Sequence, residues 1–223
     1  MWLDIAERDD TPLKGRHKSI LPLEAVIWHF TGGPGSPVPW LKQRADGVGW
    51  HFTIERDGSI VQHHPLDARC SHAGGSKMFG KSNVNARTIG VELANLGPVE
   101  QLSGPSIPAA ALVTLPCRLG ADSRRRFGRK QPNGSMWFMP AGSDVVVASD
   151  GTMWEAFSGP QLASIIRLGL ALATAVPAFV DPDRHLAHRD VKSTKQDVHP
   201  EVFPWLSLRD TLRDAQIRAE PRE

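Results

Sequence analysis

The chain is 223 residues long, 40% hydrophobic and 22% charged, with a formal net charge of +2. That length can bury a substantial core within one domain, the balance excludes disorder throughout, and so mild a charge does not by itself indicate nucleic-acid binding. With 20 glycines and 18 prolines, many loops are expected.

The two cysteines, Cys70 and Cys117, have no paired spacing, so neither a disulfide framework nor a zinc ribbon is indicated and reduced thiols are expected. The N-terminus has early acidic residues and no apolar run of signal-peptide length, so no export signal is visible and the chain is expected to be cytoplasmic as synthesised. The most apolar stretch, "LASIIRLGLALATAVPAFV", is interrupted by Arg167 and Pro177, which excludes a membrane-spanning helix.

Residues 1–23 read as a polar, irregular lead-in. "EAVIWHF" (24–30) is a short apolar run ended by the turn-rich "TGGPGSP", a buried strand with His29 at its end. "VPWLKQRADGVG" reads as a short helix and loop. "WHFTIERDGSIVQHHP" is a hairpin around Asp57-Gly58. A loop rich in Gly, Ser and Asn (71–87) leads to "TIGVELAN", a strand with one carboxylate, Glu92, set among apolar residues.

From 98 to 150 the sequence turns Pro-, Gly- and Arg-rich and reads as an insertion with two or more short strands, "MWFMP" and "DVVVASDG" among them. Its basic cluster "RRRFGRK" (124–130) is most simply a solvated loop, with contact to an anionic polymer as the alternative. "SGPQLASIIRLGLALATAV" is a helix with Ser158 as N-cap and Leu162, Ile165, Ile166, Leu168, Leu170 and Leu172 as its apolar residues. "HLA" before His188 resembles a further strand end, and "FPWLSLRDTLRDAQIRA" a closing helix with a charged outer face, so 207–223 forms a C-terminal helix and tail.

Nine histidines are present. Two of them, His29 and His188, stand at strand ends that can face one crevice. A catalytic zinc site takes three nitrogen or oxygen ligands and keeps a fourth position for water, which these imidazoles and the Asp197 carboxylate could supply. No compact metal motif links them, so histidines that merely satisfy hydrogen bonds remain the competing reading.

The ordered series "AVIWHFTGG", "GVGWHFTIERDGSIVQ", "CSHAGG", "NARTIGVELAN", the helix after "WEAFSGPQL", and "AHRDVKSTKQDVHP…FPW" resembles the zinc-dependent N-acetylmuramoyl-L-alanine amidases, a family that includes phage lysins, muropeptide-recycling amidases and peptidoglycan recognition proteins. The resemblance covers about 24–97 and 150–206. It implies a single α/β domain with a mixed central β-sheet flanked by helices, and hydrolysis of the amide between N-acetylmuramic acid and L-alanine in peptidoglycan or muropeptides. On that resemblance His29, His188 and Asp197 are the zinc ligands, with His199 as an alternative third ligand because "DVHP" stands where the family usually has "DPGP".

The resemblance also implies a role for two further residues. Zinc would lower the pKa of its bound water and polarise the scissile carbonyl. Glu92 would then be the general base and Lys195 the group that stabilises the oxyanion. Along the strand Ile89, Val91 and Leu93 alternate with Gly90, Glu92 and Ala94, so Glu92 lies opposite the bulky face; periodicity leaves open whether it meets a groove or water.

Some phage relatives carry a catalytic tyrosine where Trp50 stands here, and this chain has no tyrosine. Trp50 is therefore a candidate apolar wall for substrate or a core residue, and His51 is expected to be structural. His72, Asn83 and Asn85 are candidate substrate-binding residues, the asparagines alternatively shaping a turn. His185, Asp190 and His199 are expected to support the site. The competing function is a recognition module that binds peptidoglycan fragments without cleaving them. A weaker one is a nucleic-acid binder; the expected partner is the peptidoglycan fragment, with no nucleic acid and no membrane insertion.

Overall fold

The computed structural model describes residues 1–9, 17–18, 22–43, 47–102, 127–140 and 143–219. In chain order the strands are β1 (Glu7–Arg8), β2 (His17–Lys18), β3 (Ala25–Phe30), β4 (Phe52–Ile54), β5 (Ile60–Gln62), β6 (Ala68–Arg69), β7 (Thr88–Leu93), β8 (Pro98–Gln101), β9 (Phe127–Lys130), β10 (Met136–Phe138), β11 (Val145–Val147), β12 (Met153–Glu155) and β13 (His185–Ala187). The helices are α1 (Val38–Gln43), α2 (Gly159–Ala175), α3 (His188–Val191) and α4 (Trp205–Ala219). Among the described residues no helix is long and apolar enough to cross a membrane.

A six-stranded mixed sheet has the order β1-β5-β4-β7-β3-β13. β4, β7, β3 and β13 run parallel, while β5 returns antiparallel to β4 through the Asp57-Gly58 turn. The near-continuous apolar run of β3 fits a central parallel strand, which is covered on both faces. One face sends Val26, Trp28, Phe52, Ile54, Ile89, Val91 and Leu93 against Ile165, Leu168 and Leu172 of α2 and Leu208 and Leu212 of α4. The other packs Ala25 and Ile27 on Ala73, Met78, Val84 and Val191.

Helix α2 begins where a capping box predicts a start. The Ser158 hydroxyl accepts from the Gln161 backbone N–H, and the Gln161 side-chain oxygen accepts from the Ser158 N–H. Its buried positions, Ile165, Leu168, Gly169 and Leu172, recur at three- and four-residue intervals and form the stripe that faces the sheet.

Two expectations from the sequence are corrected. The lead-in is not wholly irregular: β1 adds an edge strand beside β5, and β2 pairs with β6. The segment 98–150 holds short strands as its sequence suggested, and the correction there concerns the basic cluster. β8 to β11, together with β12, form a separate five-stranded antiparallel sheet of order β10-β9-β8-β12-β11, with its own core of Leu96, Val99, Phe127, Met139 and Val145. The basic cluster read as a solvated loop therefore contains strand β9 with Phe127 buried; Arg124, Arg125 and Arg126 lie outside the described residues, as does Cys117. Cys70 is buried, with its Sγ 3.7 Å from His51 Nε2.

The two sheets are joined by a fork-to-carboxylate pair. Arg56 Nε and Nη2 donate to the two oxygens of Glu155 at 2.9 Å each, and Glu155 also accepts from the Ser143 hydroxyl and the Leu96 backbone N–H. At 2% exposed, the Glu155 carboxylate has its hydrogen-bonding capacity met by these donors rather than by water.

Two core histidines are structural. His51 donates from Nε2 to the Ala68 carbonyl (2.9 Å) and accepts at Nδ1 from the Gly90 N–H (3.0 Å). His185, expected at the surface or beside the site, is instead completely buried: its Nε2 donates to the Phe179 carbonyl (2.9 Å) and its Nδ1 accepts from the Trp28 indole. Burial pushes both imidazoles down to about 4, against carbonyl contacts that favour the proton. The unfolded chain protonates them near 6.5, so their contribution to stability is present above that pH and is lost as pH falls from about 6.5 to 4. Urea unfolding between pH 7.5 and 4.5 should show a loss on the order of 2–3 kcal/mol per histidine, and His185→Gln should flatten the profile; a variant slope equal to that of the parent would contradict the assignment.

Candidate functional site

The parallel strands end at a groove of about 800 Å³. Because β3 and β7 pair in parallel register, His29 lies directly beside Glu92 on the same face. β13 flanks β3 on its other side and passes straight into α3, so His188 enters from there. The turn is held by Asp190, whose carboxylate accepts from the Ala187 N–H at 2.7 Å. The loop after α3 folds back when Arg189 N–H bonds the Asp197 carbonyl at 2.8 Å, which returns Asp197 to the two imidazoles. Crevices at the carboxyl ends of parallel strands are the usual place for ligands in such sheets.

The three expected ligand atoms meet. His29 Nδ1 lies 2.9 Å from His188 Nδ1 and 3.2 Å from Asp197 Oδ2, and His188 Nδ1 lies 3.0 Å from the same oxygen. A tetrahedral cation bonded at zinc-like lengths sets its donors roughly 3.3 Å apart, close to this spacing. His199 is not part of the cluster: its Nε2 faces Asp150 at 3.7 Å, its Nδ1 accepts from Glu201 N–H, and its ring leans on Trp154. Asp197 is the third member on geometry.

Neighbouring hydrogen bonds decide which ring nitrogens carry protons. Thr88 donates its hydroxyl proton to the Val84 carbonyl (2.8 Å), so its oxygen accepts from His72 Nε2 (3.1 Å). His72 Nδ1 is then bare and accepts from His29 Nε2 at 3.0 Å, which leaves a lone pair on His29 Nδ1. His188 Nε2 donates to the Ala73 carbonyl at 3.3 Å, which leaves its Nδ1 bare as well. In this tautomer assignment two imidazole lone pairs and a carboxylate oxygen converge, a donor set that could hold a metal cation. Burial drives the His29 pKa down, with the Asp197 carboxylate opposing it, so a neutral ring is the favoured form. Burial alone would raise the Asp197 carboxyl, but the facing His188 and His29 rings outweigh it and hold the group ionised.

Asn85 reaches both imidazoles at one remove. Its side-chain oxygen accepts from the backbone N–H groups of His72 (3.1 Å) and Ala73 (2.8 Å), the two residues that receive the protons of His29 and His188. This asparagine, read from the sequence as a substrate contact or a turn-shaping residue, makes the loop-shaping contacts. Asn83 is exposed, holds a left-handed conformation before the turn Val84–Ala86, and is not among the groove-lining residues. His72 borders the groove but is only 8% exposed, with both ring nitrogens engaged. It fits there because residue 90 is glycine: a Cβ on Gly90 would sit 2.5 Å from the His72 ring.

Glu92 lines the same groove, and its Oε2 is buried with no hydrogen-bond partner among the described residues. Burial above all, then the Asp197 charge, raises its pKa well above the ordinary carboxylate value, with Lys195 pulling the other way. The question left by strand periodicity is thereby answered: the carboxylate meets the groove. Lys195 is an exposed groove-lining cation on the loop before Asp197. Trp50 forms part of the wall, its indole donating to Thr53 Oγ1 (2.8 Å) and its ring stacked on the half-exposed Trp40 at 6.1 Å.

Known proteins resemble this chain over most of its length. Residues 20–200 match the family described as N-acetylmuramoyl-L-alanine amidase. A stretch of 46 residues is 48% identical to the 1,6-anhydro-N-acetylmuramyl-L-alanine amidases AmpD of Escherichia coli K12 and Citrobacter freundii; it spans 21% of this chain and about a quarter (25%) of theirs. Among solved structures, a selenomethionine AmpD derivative superposes with a TM-score of 0.57 at 20% identity, covering 94% of this chain and 96% of that one. The E. coli amidase AmiD in complex with anhydro-N-acetylmuramic acid-L-Ala-D-γ-Glu-L-Lys gives 0.54 at 17% identity, over 87% of this chain and 60% of that one. At these identities the structural likeness speaks to the fold, which is the same mixed sheet with flanking helices. The sequence match runs over most of the chain and takes in both halves of the groove, and the chain belongs to the N-acetylmuramoyl-L-alanine amidase family.

Proposed function

We propose that this chain hydrolyses the amide between the lactyl group of N-acetylmuramic acid and L-alanine in peptidoglycan or muropeptides, with zinc held by His29, His188 and Asp197. The observation that carries the reading is the unpartnered Oε2 of Glu92, buried in the same groove as the three converging lone pairs. When bound, zinc polarises the scissile carbonyl and makes a coordinated water acidic enough to act near neutral pH.

The chain's own residues supply the proton traffic. Glu92 Oε2 takes a proton from the attacking water and delivers it to the amide nitrogen, so the C–N bond breaks to give a lactyl carboxylic acid and the free amine of L-alanine. Lys195 faces the negative charge that develops on the carbonyl oxygen. Trp50 has no ionisable hydroxyl, which leaves the proton transfer to Glu92. A muropeptide-binding module needs neither a base nor an orphaned carboxylate, and the presence of Glu92, Lys195 and all three ligands favours hydrolysis over recognition alone.

Elemental analysis of the purified protein should find about one zinc per chain, and His188→Ala or Asp197→Ala should abolish both the metal and the release of free stem peptide. Full hydrolysis by metal-free protein would refute the mechanism. Glu92→Gln should retain zinc yet lower kcat by about 10²-fold or more; unchanged turnover would remove Glu92 from the chemistry. Asn85→Ala should weaken zinc affinity about 10- to 100-fold through the loosened 72–73 loop, as expected when an outer partner of metal-ligating histidines is lost, and a competitive-chelator titration reads this directly.

A further inference from the structure

The groove has one wall that comes from the inserted sheet. In the β9–β10 hairpin, Arg129 and Trp137 are direct cross-strand partners and project from the same face, and both line the groove beside the Gly32-Gly33 turn. Arg129 is held in place: Nη1 donates to the Leu96 carbonyl at 2.7 Å, and Cζ lies 5.4 Å from the centre of the Phe30 ring. Gly32, at φ +71°, leaves the room, since a Cβ there would come within 2.9 Å of Arg129 Nη1.

This guanidinium is half-buried and has five N–H donors, of which one is matched by an acceptor among the described residues. No carboxylate pairs with it there. The groove carboxylates have other neighbours, Asp197 facing the two imidazoles and Glu92 lying beside His29. A preorganised, partly desolvated guanidinium with an open edge is suited to a bidentate anion.

We propose that Arg129 is a specificity residue that binds a free carboxylate of the stem peptide, namely the α-carboxylate left when D-glutamate is linked through its γ-carboxyl group. The proposal rests on the amidase reading above, which brings a stem peptide to the groove, and takes the γ-linked D-glutamate from the peptide bound by AmiD. It assigns the inserted sheet a role: β9 brings to the groove a carboxylate-reading arginine that the ligand cluster and the catalytic pair do not provide.

The test compares two soluble substrates, N-acetylmuramoyl-L-Ala-D-γ-Glu, with its α-carboxylate free, and the isoglutamine form, in which that group is a neutral amide. The full chain should prefer the acid by roughly 10- to 100-fold in kcat/KM, and Arg129→Gln should bring the ratio of the two close to one. Arg129→Lys, which keeps the charge but not the fork, should fall between. A ratio near one in the parent chain, or a variant that loses activity equally on both substrates, would overturn the proposal, since damage to the fold moves both rates together. If neither substrate is cleaved, the amidase reading fails instead. The same two ligands in calorimetry then decide the subsite: tighter binding of the acid, lost in Arg129→Gln, upholds it and equal affinities reject it.

Discussion

The parallel pairing of β3 with β7 on one side and β13 on the other is the constraint on which the site depends. The alternation of side chains along a strand means that a one-residue slip would carry His29 or Glu92 to the helix-covered face. In the observed register Trp28 meets Val91 on that face while His29 meets Glu92 on the other. The same apolar contacts that stabilise the sheet therefore align His29 with Glu92, and packing and the proposed chemistry share a single register.

Once aligned, the ligands still have to present the correct nitrogens. That selection comes from a loop far from both strands in sequence: His72 and Ala73 accept the outer protons of His29 and His188, and Asn85 holds the two backbone amides of that loop. Each hydrogen bond is ordinary in strength, but in a buried site the cost of an unmatched ring nitrogen is larger than the gain from a matched one. The result is a centre of three acceptors that could hold a cation.

The second, five-stranded sheet is tied to the main one. Arg56 forks onto Glu155 of β12 and also donates to the Gly33 carbonyl, so one guanidinium ties the second sheet to the main sheet and to the turn that borders the groove. Leu96, whose carbonyl accepts from Arg129, packs in the second core. The wall formed by Arg129 and Trp137 is thus anchored to the same framework as the ligands, and its position relative to them is set by buried contacts.

Much of this was legible in the amino-acid sequence. The apolar run of β3, the Asp-Gly hairpin, the capped α2 and the ordered histidine, glutamate and lysine motifs are local patterns, and local patterns report secondary structure and the identity of reactive groups. Other features depend on partners distant in the chain. The sequence left open Asp197 against His199, a groove against solvent for Glu92, and a substrate contact against a turn for Asn85, because each turns on which atoms lie within hydrogen-bond reach after folding. His185 and the strand inside "RRRFGRK" were misread for the same reason: a buried histidine bonded to a carbonyl and an arginine on a strand have no local signature that separates them from surface residues. The sequence alone determined which chemical groups were available and the strands and helices that carry them; only the tertiary structure decided which lone pairs converge, which carboxylate is left unpaired, and which cation faces the groove, since those are properties of distances that the chain acquires by folding.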